Sequence, residues 1–251
     1  MATELLINEI RLIGNEGFVI RTRTAEIYID AFFHPIPGMA AAPVLSGKDV
    51  AKADLILVTH AHMDHFRCSE TAEVACRTGA IVAGPRAVIE SLAGKVPEHA
   101  LREMEPSAAP GREPARTVEL ELPFAGVKAF RTFHGAGHNS YLIESAGLRF
   151  FHDGDNEDTA RIPISALGRI DALMIGPWQG SGWVEFIEKL SPSRYFLMHL
   201  SEEELDEHAA GRFLPGICKR VPKGLVVLRP GQSFSFSAEA RRTGRNTEEV
   251  R

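Results

Sequence analysis

Apolar and polar positions alternate from Leu5 to Ile13, break at Gly14-Asn15-Glu16-Gly17, and resume over Phe18–Thr22 and Glu26–Asp30. Period two between turn residues predicts three short strands in a meander. The loop from Pro35 to Ser46 follows, and Ser46 or Lys48 opens a short helix. Ala53–Thr59 then reads as a buried strand, Ser69–Arg77 as a helix closed by Gly79, Ile81–Pro85 as a strand, and Arg86–Leu92 as another helix. Strands alternating with helices argue for an α/β layer.

After a Pro- and Gly-rich stretch at Glu105–Arg116 the strand pattern returns at Thr117–Leu122, Gly126–Phe133, Ser140–Glu144, Leu148–His152, Asp171–Gly176 and Ser191–His199. A helix over Ser201–His208 carries Glu202, Glu203 and Glu204 in its first turn, where the helix dipole favours acids. Leu225–Gly231 closes the sheet, and the tail from Ala238 is polar. The expected organisation is one domain over residues 1–237, with halves of about 1–104 and 117–237, followed by the tail at 238–251. The Pro-rich stretch is a crossover between halves and not a linker, because candidate site residues fall on both sides of it.

Chemistry concentrates in Thr59-His60-Ala61-His62-Met63-Asp64-His65, directly after the apolar Leu55–Val58. Burying three imidazoles and a carboxylate without partners costs several kcal/mol each, and a metal is the partner that removes that cost. In an extended chain His60 and His62 point the same way, whereas adjacent Asp64 and His65 converge only where the strand ends and turns. Two ligand pairs imply two neighbouring metal sites. Imidazole and carboxylate without thiolate favour zinc, then manganese or iron.

Composition bounds the rest. With 251 residues, 44% hydrophobic and 24% charged, the chain has the make-up of an ordinary globular protein. A net charge of −5 with no basic block argues against nucleic acid. Three cysteines without a CxxC fit a reducing compartment. No apolar run approaches the roughly 20 residues that span a bilayer, and no basic segment precedes a long apolar one. A cytoplasmic protein is expected, with a small-molecule substrate, no nucleic acid and no membrane among its partners, and self-association left open.

His60-x-His62-x-Asp64-His65 resembles the HxHxDH signature of the metallo-β-lactamase superfamily, and four further stretches resemble that family's later elements in order. Phe133-His134-Gly135-Ala136-Gly137-His138 offers two histidines for the next ligand. His134 comes straight off a strand; His138, four residues on, is the rival ligand, a group that supports the ligands from behind, a substrate contact or a catalytic group. Gly154-Asp155 resembles the element whose carboxylate bridges two ions, and Met198-His199 the last ligand. Ile29-Asp30 matches an aspartate that supports the metal loop from behind, orienting a ligand.

The resemblance implies a four-layer αββα sandwich of two mixed sheets flanked by helices. It also implies a dinuclear hydrolase, zinc first, in which His60, His62 and His134 take one ion, Asp64, His65 and His199 the other, and Asp155 lies between. Water activated there attacks an ester, lactone or phosphoester, with Asp64 also the candidate proton relay. The chain further resembles the branch containing L-ascorbate-6-phosphate lactonase, although Asp30-Ala31 stands where that branch has Asp-Pro. Iron-dependent redox chemistry or metal sensing on the same scaffold is the alternative. Trp178 and Gln179, with Gly180, Ser181, Gly182 and Trp183, form a candidate pocket-lining loop or, equally, a packed lid with no ligand, and His34 is a candidate substrate contact.

Overall fold

The computed structural model describes residues 8–31, 41–111, 113–135, 137–177 and 182–236. Strands β1 (Asn8–Gly14), β2 (Gly17–Arg21) and β3 (Glu26–Ile29) form the expected antiparallel meander. Next to β3 the sheet becomes parallel through β4 (Leu55–Leu57), β5 (Ile81–Gly84) and β6 (Leu101–Glu103), with helices α1 (Cys68–Thr78) and α2 (Arg86–Leu92) as crossovers. Gly79 ends α1 in the left-handed conformation, φ 75°, as its position after Thr78 predicts.

The second sheet repeats this plan. Strands β7 (Thr117–Leu122), β8 (Ala125–Arg131), β9 (Asn139–Ser145) and β10 (Leu148–His152) are antiparallel, and β11 (Ala172–Ile175), β12 (Arg194–Leu197) and β13 (Leu225–Val227) continue in parallel. Helices α3 (Ile164–Leu167), α4 (Trp183–Leu190), α5 (Glu202–Ala209) and α6 (Phe213–Ile217) lie in its crossovers. Ser201 and Glu204 form a reciprocal capping box that starts α5. Strand β14 (Ser233–Phe236) returns to the first sheet against β1, giving the orders β14-β1-β2-β3-β4-β5-β6 and β13-β12-β11-β10-β9-β8-β7. Leu225–Gly231 is therefore not the last strand; β14 is.

Period-two alternation sorts side chains into layers. Ile27, Ile29, Leu55 and Leu57 face inward and pack with Tyr141, Ile143, Phe150, Met174 and Phe196 of the other sheet. Their neighbours Tyr28, Ile56 and Val58 face outward beneath α1 and α2, and Leu142, Phe151, Leu173 and Leu197 face outward beneath α4 and α5. The result is the four-layer αββα sandwich. Since β1 and β3 run parallel to β4, and β8 and β12 parallel to β10, the ends of all six point to one edge of the sandwich. Everything that follows sits on that edge.

Candidate metal centre

Two tight strand ends set the floor of the site. Asp30, directly after β3, has a left-handed φ of 44°, a strained state for a residue other than glycine. It is held there because its carboxylate accepts from Thr59 N–H at 2.7 Å, from Thr59 Oγ1 at 2.6 Å and from His65 Nδ1 at 3.0 Å. Gly17 is needed opposite, since a Cβ there would lie 2.9 Å from the Asp30 carbonyl oxygen. Burial alone would raise the Asp30 carboxyl, but the hydrogen bond and charge of His65 outweigh it and hold it low.

These bonds fix tautomers. Thr59 Oγ1 donates to Asp30, so it accepts from His60 Nδ1–H at 3.0 Å, and His60 Nε2 presents a lone pair. Asp30 likewise takes the Nδ1 proton of His65, and Glu157 Oε1, 2.9 Å away, takes that of His134. The free nitrogens then converge. His62 Nδ1 lies 2.8 Å from His60 Nε2 and 3.2 Å from His134 Nε2. Asp155 Oδ2 lies 3.3 Å from His134 Nε2 and 3.8 Å from His60 Nε2. Bonds of roughly 2.0–2.1 Å to a tetrahedral zinc place its ligands about 3.3 Å apart, which these edges bracket.

A second group shares Asp155. His65 Nε2 lies 3.3 Å from Asp64 Oδ2 and 3.4 Å from Asp155 Oδ2, and His199 Nε2 lies 3.6 Å from Asp64 Oδ2 and 3.8 Å from Asp155 Oδ1. His65 Nε2 and Asp155 Oδ1 are buried without a hydrogen-bond partner, the condition a cation would relieve. The donor set therefore fits two ions, one at His60, His62, His134 and Asp155 and one at Asp64, His65 and His199, with Asp155 beside His65 and His199. Burial, then the charge of His65, pushes His60 down to about 3, which keeps it a neutral ligand. His65 shifts the other way: burial would lower it, but the surrounding Asp155, Asp30 and Asp64 carboxylates raise it well above the usual range.

His138 is not part of either group. Its Nε2 accepts from the Asp155 N–H at 3.0 Å and its Nδ1 donates to Thr132 Oγ1 at 2.7 Å. Being fully buried with both nitrogens used, it neither ligates nor reaches a substrate. It carries the bridging loop instead, which corrects its reading as a ligand or catalytic group. Gly154 is required by the same contact, because a Cβ there would sit 2.6 Å from His138 Nε2.

Three parts of this arrangement escaped the sequence reading. Asn15 and Glu16, read only as turn residues, are buried against the site. Asn15 Nδ2 donates to the Asp64 backbone oxygen at 3.3 Å and to its Oδ2 at 3.4 Å, and Asn15 O accepts from His199 N–H at 3.2 Å, which holds His199 at φ 60°. Burial, then the Asp155 charge, pushes the Glu16 carboxyl well above the usual range. Glu157, the His134 partner, carried no motif. Of the pocket candidates, His34, Trp178 and Gln179 lie outside the described residues, whereas Trp183 begins α4 and is buried in the core under the second sheet.

Comparison with known proteins agrees with this architecture. The family model of the β-lactamase superfamily domain matches residues 25–200. A protein of Thermococcus onnurineus named as a metal-dependent hydrolase is 27% identical over 203 residues, covering 76% of this chain and 84% of that one. A namesake from Pelotomaculum thermopropionicum is 24% identical over 258 residues, covering 91% of this chain and 100% of that one. The solved structure of Igni18, described as a novel metallo hydrolase from Ignicoccus hospitalis, superposes with a TM-score of 0.64 at 18% identity, covering 92% and 99% of the two chains.

Proposed function

Because this chain belongs to the β-lactamase superfamily, we propose that it is a metal-dependent hydrolase working with two divalent ions, zinc first, on a small ester, lactone or phosphoester. The observation that carries the reading is the convergence of imidazole nitrogens. His60 Nε2 and His134 Nε2 lie 2.8 and 3.2 Å from His62 Nδ1, close to the spacing of ligands around one ion. Ions held there would lower the pKa of a coordinated water toward about 7 and polarise the bond under attack.

The chain's own residues do the remaining work. Asp30 and Thr59 lock His65 and His60 in the ligating tautomer, Glu157 does so for His134, and His138 holds the Asp155 backbone. Asp64 is kept far below the usual carboxylate range, where burial is outweighed by hydrogen bonds with His199 and His65. It is therefore ionised, the form in which it ligates, and its role as proton relay to the leaving group is the separate proposal that Asp64→Asn tests. His62, Met63 and Phe133 are exposed at the rim, leaving the site open to a substrate from solution.

The test is metal analysis of the purified protein together with turnover of a panel of lactones, phosphodiesters and thioesters. Two bound equivalents and chelator-sensitive hydrolysis are expected. Iron with oxygen-dependent turnover, or metal without any hydrolysis, would refute the reading in favour of redox or sensing.

A further inference from the structure

A cavity of about 300 Å³ opens beside the metal centre, and none of the proposed ligands lines it. Its wall includes Phe133 and Gly135, the residues on either side of His134, and a Cβ at Gly135 would stand 3.9 Å from His62 Nε2. Consecutive Cα atoms are about 3.8 Å apart, so this wall lies within roughly one residue of two ligands of the first ion. Phe133, 57% exposed, adds an apolar surface at the mouth.

The rest of the wall is charged, with Arg131, Asp158 and Arg161 all lining it. Arg131 is neutralised by Glu105, whose Oε1 lies 2.6 Å from its Nη1. Arg161 has no such partner among the described residues. Its guanidinium meets main-chain carbonyls, Nε donating to Glu113 O at 3.1 Å and Nη2 to Glu113 O at 3.0 Å and Ala109 O at 3.2 Å, which fixes the plane of the group and leaves Nη1 without an acceptor. Asp158 is held by its main chain alone. Its N–H donates to Asn156 Oδ1 at 3.1 Å and its carbonyl accepts from Arg161 N–H at 3.2 Å, starting the short turn Thr159–Arg161. Its carboxylate makes no hydrogen bond or ion pair among the described residues, not even with Arg161 three positions on.

The backbone keeps the two charges apart: carbonyls of the crossover draw Arg161 toward Ala109 and Glu113, away from Asp158. A cation and an anion that share one cavity wall without pairing complement a ligand that carries both signs, and their fixed positions lower the entropic cost of binding it. A ligand with one charge would leave the other wall group unmatched. We propose that this cavity is a recognition subsite for an α-amino-acid-type zwitterion, its carboxylate on Arg161, its ammonium on Asp158 and its side chain passing Phe133 toward the first ion. The inference rests on the hydrolase reading above and names the substrate class, an ester or phosphoester borne on the side chain of an amino acid.

The probe is L-2-aminobutyrate, compared with butyrate, which lacks the ammonium, and propylamine, which lacks the carboxylate. Binding to the full chain as purified is read by NMR shift titration. The zwitterion should bind about fivefold more tightly than either analogue, the size expected of a partly exposed charge contact. Asp158→Asn should reduce aminobutyrate to the affinity of butyrate, and Arg161→Gln should reduce it to that of propylamine. Asp158→Asn removes no side-chain hydrogen bond of the folded chain. It therefore decides the matter by itself if Arg161→Gln, which loses its bonds to the crossover, does not fold. Equal affinities of the three probes for the wild-type protein, or a zwitterion preference retained in either variant, overturns the proposal. Butyrate bound directly by the metal centre would bind wild type and variants alike and is thereby told apart. Failure of the hydrolase reading would look different, since metal or ester turnover would be missing while the binding preference and its loss in the variants persisted.

Discussion

Asp30→Asn perturbs the centre without touching a proposed ligand. Asparagine is nearly the same size and tolerates the left-handed φ of 44°, so the strand end should keep its path. Its one oxygen can still accept the Thr59 N–H at the Oδ1 position. The amide nitrogen, however, replaces the oxygen that accepts from both Thr59 Oγ1 and His65 Nδ1, so a donor faces two donors. Thr59 escapes by rotating its hydroxyl. His65 escapes only by moving its proton to Nε2, the nitrogen that faces Asp64 and Asp155. Losing a hydrogen bond between charged groups costs about 1.5–3 kcal/mol, and the second ion must recover that cost to restore the ligating tautomer. At about 1.4 kcal/mol per decade, its affinity should fall roughly 10- to 100-fold. A competition titration of the apoprotein against a chromophoric chelator measures this directly. The first equivalent, held by His60, His62 and His134, should change several-fold at most. Two equivalents bound by Asp30→Asn with affinities within twofold of wild type would refute the tautomer argument.

Other outcomes follow from neighbouring contacts. Asp64→Asn, if Asp64 relays a proton, should cut kcat far more than it changes KM, and an unaffected kcat on a hydrolysed substrate would dispose of the relay. Gly17→Ala puts a Cβ 2.9 Å from the Asp30 backbone oxygen, and the forced separation of β2 from that strand end should cost about 1–3 kcal/mol, visible as a lowered urea midpoint. The Asp153 carboxyl is pushed up to about 7 by burial, against hydrogen bonds from Asn156 and Ser140 that lower it. Its folded pKa exceeds its unfolded one, so the unfolded chain ionises first and metal-free stability should fall as pH rises from about 4 to 7, by an amount on the order of 4 kcal/mol. Asp153→Asn should flatten the urea-midpoint profile over that window in the presence of EDTA. A variant profile parallel to wild type would show that Asp153 does not carry the slope.

Much of this was legible because a strand end does two things at once. It stops the alternation, and it leaves the next side chain at the sandwich edge, so His60 could be read from chemistry placed directly after an apolar run, whereas Asp155 and His199 needed the resemblance of their stretches to the family's later elements and His134 drew on both. Long periodic segments such as α1 and β7 also emerged within a residue or two. Elements that failed to show were short or lacked a periodic face. Strand β6 spans Leu101–Glu103 and β14 spans Ser233–Phe236, and each owes its existence to an adjacent strand with open hydrogen-bonding groups. Helix α4 lay hidden behind a glycine-rich run that drew attention to Trp183 as part of a pocket-lining loop, when that ring is a core side chain.

The hairpin tip failed for a different reason. Gly14-Asn15-Glu16-Gly17 has the composition of a solvated turn, and local propensity cannot tell a turn in water from one at the bottom of a cleft. Topology can. Once β1 pairs antiparallel with β2, and β2 with β3, the end of β1 must lie at the same edge as Asp30, and a second sheet closing over that edge buries whatever stands there. Polar residues at such a place have to find partners in the site or destabilise the fold. Asn15 finds Asp64 and His199, and its carboxylate neighbour finds no donor among the described residues. In a mixed sandwich of this kind, the turns that return to the ligand-bearing edge are thus as much a part of the centre as the strands that end there, although nothing in their own composition marks them.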